Sequence, residues 1–374
     1  MTRRRRRSVA PLAAVLAAAL AVPARTPLPA GGPAAAAVPA PIEGFGAVTA
    51  GGAGKPACVV TSLADGGPGT LRECLSGGHR HVRFVVAGII ALASQLDVHG
   101  PFVTIDGFTA PPPGITLSGA GLNIWDSVSE AHDVVVRGLR IRSAGALTDG
   151  KSSQDCIGLD GRGVYNVVID HVSIHDCADG GIDISAGPKN ITIQWSIVSA
   201  AKAMLWGSTS SSADRETSRI SMHHTMLICG ATAAGCDRFP LIRASGSTVM
   251  ADLRRNVFQG WLRANGTKIE PAAWVNVVGN AYIPRADATL SQRQGSLDVQ
   301  PGTKVYTADN VELGPAPRPD LNEKGNQARP MPAPPITARA LGCVVRDAGM
   351  HPRDAVDTAL LAHAAAVPAE CDEE

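Results

Sequence analysis

The sequence predicts an all-β solenoid, a parallel β-helix with loop insertions. Three observations predict it. A short strand-like phrase recurs through the middle of the chain, and its recurrences are 24 to 33 residues apart. The composition, with 40 glycines in 374 residues and 4% aromatics, offers no long amphipathic helix.

The phrase is apolar–x–apolar, then two polar or small residues, then a second short run. It reads VTIDGF from Val103, VVVRGLRI from Val134, VVIDHVSI from Val167 and ITIQWSIV from Ile191. It returns as ISMHHTML from Ile220, ADLRRNVF from Ala251 and VNVVGNAY from Val275. Alternation sends the apolar side chains to one face and the polar ones to the other. The second apolar residue of each phrase serves as an anchor: Ile105, Val136, Ile169, Ile193, Met222, Leu253 and Val277. A lone coil cannot bury its inner face, so such coils must stack. The two-residue break after each anchor then turns the chain from one sheet to the next. A β-sandwich is the competing architecture, but its strands recur every ~8–12 residues. Asn256 and Asn280 stand three residues after their anchors, placed to stack as an amide ladder.

The N-terminus has a different character. Five arginines, Arg3 to Arg7, precede an apolar run from Val9 to Val22 and the small-residue site Val22-Pro23-Ala24. This predicts a signal peptide over residues 1–24 and a flexible Pro/Ala-rich leader over residues 25–40. Residues 41–374 then form the β-helix domain, including a Pro-rich C-terminal extension. Residues 301–340 of that extension are expected to wrap the barrel as loops. The arginines leave both the general and the twin-arginine export routes open. The apolar run is shorter than the ~20 residues of a membrane span, so no membrane association is expected. Losing the five arginines takes the formal charge from +1 to −4. That balance gives no support for a nucleic-acid partner. A secreted, extracellular monomer is the expectation.

An even count of eight cysteines in an exported chain suggests disulfides. Roughly a hundred connectivities are possible. Pairing sequence neighbours is the simplest: Cys58–Cys74, Cys156–Cys177, Cys229–Cys236 and Cys343–Cys371. Cys156 and Cys177 are 21 residues apart, close to one uninterrupted coil. Adjacent coils stand about 4.8 Å apart, within disulfide reach. No Cys-x-x-Cys occurs, so structural zinc is not expected.

The densest polar stretch lies between Asp155 and Arg243. Asp155, Asp179 and Asp183 supply the oxygen ligands that a hard cation such as Ca2+ needs. Asp179 and Asp183 are i and i+4, so within one strand they share a face. Aspartate before glycine is also a common turn residue, and for Asp179 that reading stays open. Lys202 follows, then Arg238 and Arg243, five apart. His171, His223 and His224 are conceivable catalytic groups, but a turn or core position is the commoner use of such residues.

Several phrases together resemble polysaccharide lyase family one, the pectate lyases. Val168-Ile-Asp-His171 is similar to W-I-D-H, and Asp179-Gly-Gly-Ile-Asp183-Ile to the family's acidic calcium phrase. Ile191-Thr-Ile-Gln-Trp195 resembles T-I-S-W, and Lys202-Ala-Met-Leu-Trp-Gly-Ser208 resembles K-x-M-L-x-G-S. Arg238-Phe-Pro-Leu-Ile-Arg243 resembles R-x-P-x-x-R. Gly44-Phe-Gly, the stretch from Leu63 to Arg72, and Pro352-Arg-Asp-Ala-Val-Asp357 resemble the two ends of the family's domain. The matches follow in order over some 300 residues.

The resemblance implies a right-handed, single-stranded parallel β-helix. It implies calcium-assisted β-elimination on an acidic polysaccharide, polygalacturonate or pectin. Asp155, Asp179 and Asp183 would be the calcium ligands. Lys202 and Arg243 would hold substrate carboxylates, and Arg238 would be the catalytic base. Arginine ordinarily keeps its proton, so this role implies alkaline conditions. Two departures weaken the implied calcium binding: Ser153 stands where a second acid is common, and Asp179 where Glu is common. Substrate carboxylates can complete such a shell. Trp195 and Trp206 could stack on sugar, though core packing is their better account. The alternatives are a lyase on pectin or another uronate polymer, and a non-catalytic glycan-binding or adhesin module. A hydrolase on this fold would need paired acid and base carboxylates, whose usual phrases are absent.

Overall fold

The computed structural model describes residues 41–126, 130–143, 155–207, 218–230, 236–244, 248–261, 265–285, 295–314, 317 and 319–371. The signal-peptide and leader readings over residues 1–40 lie outside the described residues, as does Ser153. Within the unit Ile42–Glu374 the chain winds through three sheets in turn. Tyr165–Asp170 lies in sheet 1, Ser173–His175 in sheet 2 and Ile182–Ser185 in sheet 3, before Lys189–Gln194 returns to sheet 1. Among the described residues the sheets hold ten, nine and eight strands, and neighbouring strands pair in parallel. The fold is the expected parallel β-helix.

All seven anchors stack. Ile105 pairs with Val136, Val136 with Ile169, and Ile169 with Ile193. Ile193 pairs with Met222, Met222 with Leu253, and Leu253 with Val277. Each anchor is fully buried. Burying such a side chain contributes about 1.5–3 kcal/mol, and alternation repeats this on every strand.

The turn from sheet 1 to sheet 2 has a common design. His171, Trp195, His224 and Arg255 adopt φ of 49°, 48°, 50° and 53°. The left-handed residue makes the corner. Its ring lies against the next coil's: Trp195 and His224 stack with centroids 4.3 Å apart. The following residue points into the corner and bonds along the helix. Thr225 N–H donates to Asn256 Oδ1 (3.0 Å), Asn256 N–H to Asn280 Oδ1 (3.0 Å) and Asn280 N–H to Asn310 Oδ1 (3.1 Å). The side-chain amides of Asn256 and Asn280 also donate, each to the next ladder carbonyl. The ladder that two asparagines suggested therefore runs further, through Thr225 on one side and to Asn310 and Asn322 on the other.

The chain covers two of its own three lateral faces. The outer face of sheet 1 carries buried polar residues, among them Thr192, Gln194, Ser221 and Asn276. The N-terminal segment satisfies several: Phe45 N–H donates to Ser221 Oγ (3.1 Å) and Gly46 N–H to Thr192 Oγ1 (2.8 Å). Gly46 is required there, because a Cβ would lie 2.6 Å from the carbonyl oxygen of Val167. Further along, Asn276 exchanges hydrogen bonds with the backbone of Met331. Residues 301–340 thus only partly follow expectation. Lys304–Ala308 and Val311–Glu312 add strands to sheets 1 and 2, and the wrapping begins after them. The alternation in Lys304–Ala308 is short, and the prolines around it mask it.

Sheet 2 is covered by the helices Leu341–Asp347 and Ala355–Leu361. Val344, Ala348 and Leu360 pack on Ile197, Met226, Val257 and Ala281. Arg142 anchors them through Asp354 (3.3 Å) and Asp357 (3.1 Å), and Arg140 approaches the same pair. The four disulfides are Cys58–Cys74, Cys156–Cys177, Cys229–Cys236 and Cys343–Cys371, the sequence-neighbour pairing. Among the described residues no helix is long and apolar enough to cross a membrane.

Two stability predictions arise. Asn280→Ala leaves Asn256 N–H and the Leu253 carbonyl without their partners in a buried corner. It is expected to cost about 3 kcal/mol in chemical denaturation; a cost below about 0.5 kcal/mol would show the ladder to be dispensable. His223 and His224 touch through their Nδ1 atoms, and burial holds His223 neutral, its pKa pushed down to about 4. A depressed base contributes stability that is complete above its unfolded pKa and is lost as pH falls through the folded one. Relative to His223→Gln, the wild-type protein is expected to lose melting temperature as pH falls from about 6.5 to about 4, the difference isolating His223 from the carboxyls that titrate in the same window.

Candidate active site

Sheet 3 is the face that neither the N-terminal segment nor the C-terminal helices occupy. Its strands alternate as the others do. Ile157, Leu159, Ile182 and Ile184 point inward, with Trp206, Ile242 and Ile269 continuing the inner stack. The outward positions read, across successive strands, Asp97, Asn123, Gly158 and Asp183. The next strands bring Leu205, Leu241, Lys268 and Asp298. Arg243 and Glu270 follow the inward Ile242 and Ile269 and so return to the same face.

Asp155 and Asp183 converge on Gly180. Asp155 Oδ1 accepts from Gly180 N–H (2.8 Å), and Asp183 Oδ1 accepts from Leu205 N–H (2.8 Å). A Cβ on Gly180 would stand 2.5 Å from Asp155 Oδ1 and 2.7 Å from Asp183 Oδ1. The glycine therefore leaves a cradle lined by two carboxylates. Burial, with the neighbouring Asp155 carboxylate adding to it, pushes the Asp183 carboxyl up to about 7. Burial raises Asp155 as well, and Asp179 reinforces it. Two carboxylates that resist ionising side by side accept a hard cation readily.

Asp179 departs from the expected arrangement. It precedes the strand Ile182–Ser185, so the same-face argument for i and i+4 does not apply to it. It lies on a bend, where it accepts a hydrogen bond from Lys202 Nζ. Among the described residues no three His, Cys, Asp or Glu side chains are arranged to hold a metal by themselves. Asp155 and Asp183 fit calcium by their chemistry and their cradle; Asp179 would first have to exchange Lys202.

The three cations lie along the same face. Lys202 sits on a bridge between Gly180 and Asp237. Arg238 follows with φ of 61°, a left-handed conformation uncommon for arginine. Both sides of it are pinned: Met204 N–H donates to its carbonyl (2.9 Å), and Phe239, fully buried, donates from its N–H to Gly266 O (3.0 Å). The backbone thus turns the Arg238 side chain outward, to 3.7 Å from Asp183. Arg243 is held by Glu270, Nε to Oε2 at 2.7 Å, and Lys268 reaches the same carboxylate at 3.1 Å. These partners keep the Glu270 carboxyl below its ordinary range.

Sequence reasoning missed Glu270 and Gly180. Glu270 stands two residues after Lys268, the outward period of a strand, but Thr267–Ile269 is too short to announce itself. Gly180 read as a turn glycine. Trp206 is buried in the core, as the core reading expected, whereas Trp195, also buried, stacks between His171 and His224 at the corner of sheets 1 and 2. His171, His223 and His224 belong to the corner stack, away from sheet 3.

Fold and site together define a parallel β-helix with a charged lateral face. No family model matches the chain. In sequence it is similar to curated pectate lyases. It is 41% identical over 156 residues to a probable pectate lyase C of Emericella nidulans, covering 42% of this chain and 35% of that protein. It is 31% identical over 182 residues to probable pectate lyase 6 of Arabidopsis thaliana, covering 45% and 39%. These matches span little more than a third of each relative's length. In structure it is similar to the cedar-pollen major allergen jun a 1, with a TM-score of 0.57 and 21% identity, covering 83% of this chain and 92% of that one. It is also similar to a pectate lyase of Bacillus sp. N165 solved with trigalacturonate, with a TM-score of 0.55 and 18% identity, covering 83% and 98%. These solved structures share the fold.

The acidic pair sets a metal prediction. A carboxyl whose folded pKa is raised stabilises the fold fully only below its unfolded pKa, and that contribution is lost as pH rises through about 7. Calcium is therefore expected to raise the melting temperature clearly at pH 8 and hardly at pH 5, with a chelator reversing it. Gly180→Ala should weaken the calcium response about ten-fold in apparent affinity, since second-sphere and cradle changes cost 10–100-fold. An equal calcium shift at both pH values would separate the ion from these carboxylates.

Proposed function

We propose that this chain is a secreted pectate lyase that cleaves α-1,4-linked polygalacturonate by calcium-assisted β-elimination, yielding 4,5-unsaturated oligogalacturonates. One observation carries the reading. On the face of the solenoid that, among the described residues, neither the N-terminal segment nor the C-terminal helices cover, a carboxylate cradle lies beside a lysine and two arginines. Similarity to curated pectate lyases supports the same substrate class. The basic, then apolar N-terminus and four disulfides support export into an oxidising compartment.

The residues divide the work. Lys202 and Arg243 bind uronate carboxylates and fix the sugar by charge-assisted hydrogen bonds. Both are already held by carboxylates, Asp179 and Glu270, so the substrate exchanges into prepared positions. Calcium, when bound by Asp155 and Asp183 and completed by substrate carboxylates, supplies the positive charge that makes the proton α to a carboxylate acidic. Arg238, in its neutral form, takes that proton from C5, the C4–O bond to the leaving sugar breaks as the C4=C5 double bond forms, and the leaving oxygen takes a proton from water. Arg238 is suited to the task by position: its backbone is pinned, and its guanidinium faces Asp183.

The test follows the ultraviolet absorbance of the conjugated product on polygalacturonate, with calcium or with chelator, across pH. Arg238→Ala is expected to lower kcat by about 10³-fold, within the range for a lost general base, while leaving calcium-dependent melting intact. Arg243→Ala should act mainly on KM. Absence of product under every calcium and pH condition, with the protein folded, would overturn the reading.

A further inference from the structure

Sheet 3 extends beyond the acidic cradle towards the N-terminus, and its character changes there. The strands Leu96–Asp97, Leu122–Trp125 and Ile157–Asp160 pair in register and continue the face. Their outward positions are Asp97, Asn123, Gly158, Trp125 and Asp160. None is a lysine or arginine. Trp125 is 38% exposed and is the one aromatic among the exposed large apolar side chains of the described residues. Its own strand is otherwise buried.

The indole is not simply loose at the surface. A Cβ on Gly158 would stand 3.2 Å from Asn123 Oδ1, 3.5 Å from Trp125 Nε1 and 3.9 Å from Asp155 Oδ2. One notch therefore joins the tryptophan, an amide and the carboxylate of the cradle. The strands of Trp125 and Asp183 are two apart, roughly 10 Å. A saccharide lying across the strands, with one unit at the cradle, reaches Trp125 in one direction and Arg243 and Lys268 in the other.

The two directions differ in charge. Towards Lys268 the face offers cations to a uronate. Towards Trp125 it offers an apolar ring face and carboxylates, which repel a uronate but accept an uncharged sugar. Aromatic rings hold pyranoses by their apolar faces, and the indole N–H supplies a hydrogen bond to a hydroxyl or ester oxygen, while Asn123, buried and bonded to Gln95 and Asp97, fixes the floor beneath the ring.

We propose that the exposed face of Trp125, beside the Gly158 notch, forms a subsite for an uncharged pyranose, such as a methyl-esterified uronate, at the N-terminal end of the groove. This rests on the proposed lyase function and assigns that groove a second, neutral specificity. Trp125 positions the chain and does not touch the reacting atoms.

The experiment compares the wild-type protein, Trp125→Ala and Trp125→Phe. Each is assayed on de-esterified and on partly methyl-esterified oligogalacturonates of equal length. Tryptophan fluorescence is titrated with the same oligomers in chelator, where turnover is blocked. Trp125→Ala should raise KM on the esterified oligomer about five-fold, the worth of one aromatic contact, with kcat within two-fold and little change on the de-esterified one. Trp125→Phe should restore most of that loss, which a merely structural role would not do. Esterified oligomer should also quench the wild-type fluorescence and not that of Trp125→Ala. Equal KM changes on both oligomers, or none, with lyase activity intact, overturn the subsite and leave the lyase reading standing. Loss of all lyase activity in the wild type, with quenching by esterified oligomer preserved, overturns the lyase reading alone.

Discussion

Parallel strands give no hairpin to fix their register, so each coil must be aligned by the one before it. A slip of one residue would turn every inward side chain outward. Here the alignment is enforced at the corner between sheets 1 and 2. Side-chain carbonyls of Asn256, Asn280 and Asn310 each accept the backbone N–H of the equivalent residue one coil earlier. The bond exists only when the two corners are level. The hydroxyls of Thr225 and Ser196 carry the corner bonds back to Val172 N–H, and with these corners level Ile169, Ile193, Met222, Leu253 and Val277 fall into one column, which Val136 and Ile105 continue through strand pairing alone. The outward residues of sheet 3 then fall into columns of their own. The carboxylate cradle is thus a consequence of register: Asp155 meets Gly180 because Ile157 pairs with Ile182.

The same register leaves outer faces that must be resolved one by one. Sheet 1 carries polar residues with no exposure, so their hydrogen bonds must come from protein, and residues 43–46 and Met331 provide several. Sheet 2 presents aliphatic residues that two short helices cover. Arg140 and Arg142, inside that interface, meet Asp354 and Asp357, so the buried charges are paired. Among the described residues, sheet 3 receives neither cover and carries the acidic cradle and the three cations on its outer side.

What was legible in the sequence was whatever repeats with the coil. The anchors could be found because each stands alone as an apolar residue in a short alternating phrase. The neighbour pairing of cysteines could be found because one coil brings Cys156 and Cys177 side by side. Arg238 and Arg243 were singled out by their phrase. Features made by loops were harder. Asp179 looked like a strand partner of Asp183 and is a bend residue paired with Lys202. Glu270 and Trp125 were hidden for opposite reasons. Glu270 sits at the end of a three-residue strand, and Trp125 belongs to a strand, LNIW, that lacks the anchor phrase altogether.

The charge arrangement on sheet 3 also explains why that face is held so firmly from below. Asp155 and Asp183 are half-buried to buried carboxylates, and Asp183 resists ionisation up to about 7. In isolation such a pair weakens the fold at neutral pH, because each charge is desolvated and faces the other. Backbone N–H groups of Gly180 and Leu205 hold the two side chains in place and offset part of that penalty. The disulfide Cys156–Cys177 ties together the segments that carry Asp155 and Asp179. Arg238, itself in a left-handed conformation, is fixed by the buried Phe239 and by a strand bond to Met204. Strain and like charge are concentrated in these few residues of one face, and the rest of the coil supplies the rigidity that keeps them there. On the proposed function, a cation and an anionic sugar bound at this face would relieve the repulsion between Asp155 and Asp183.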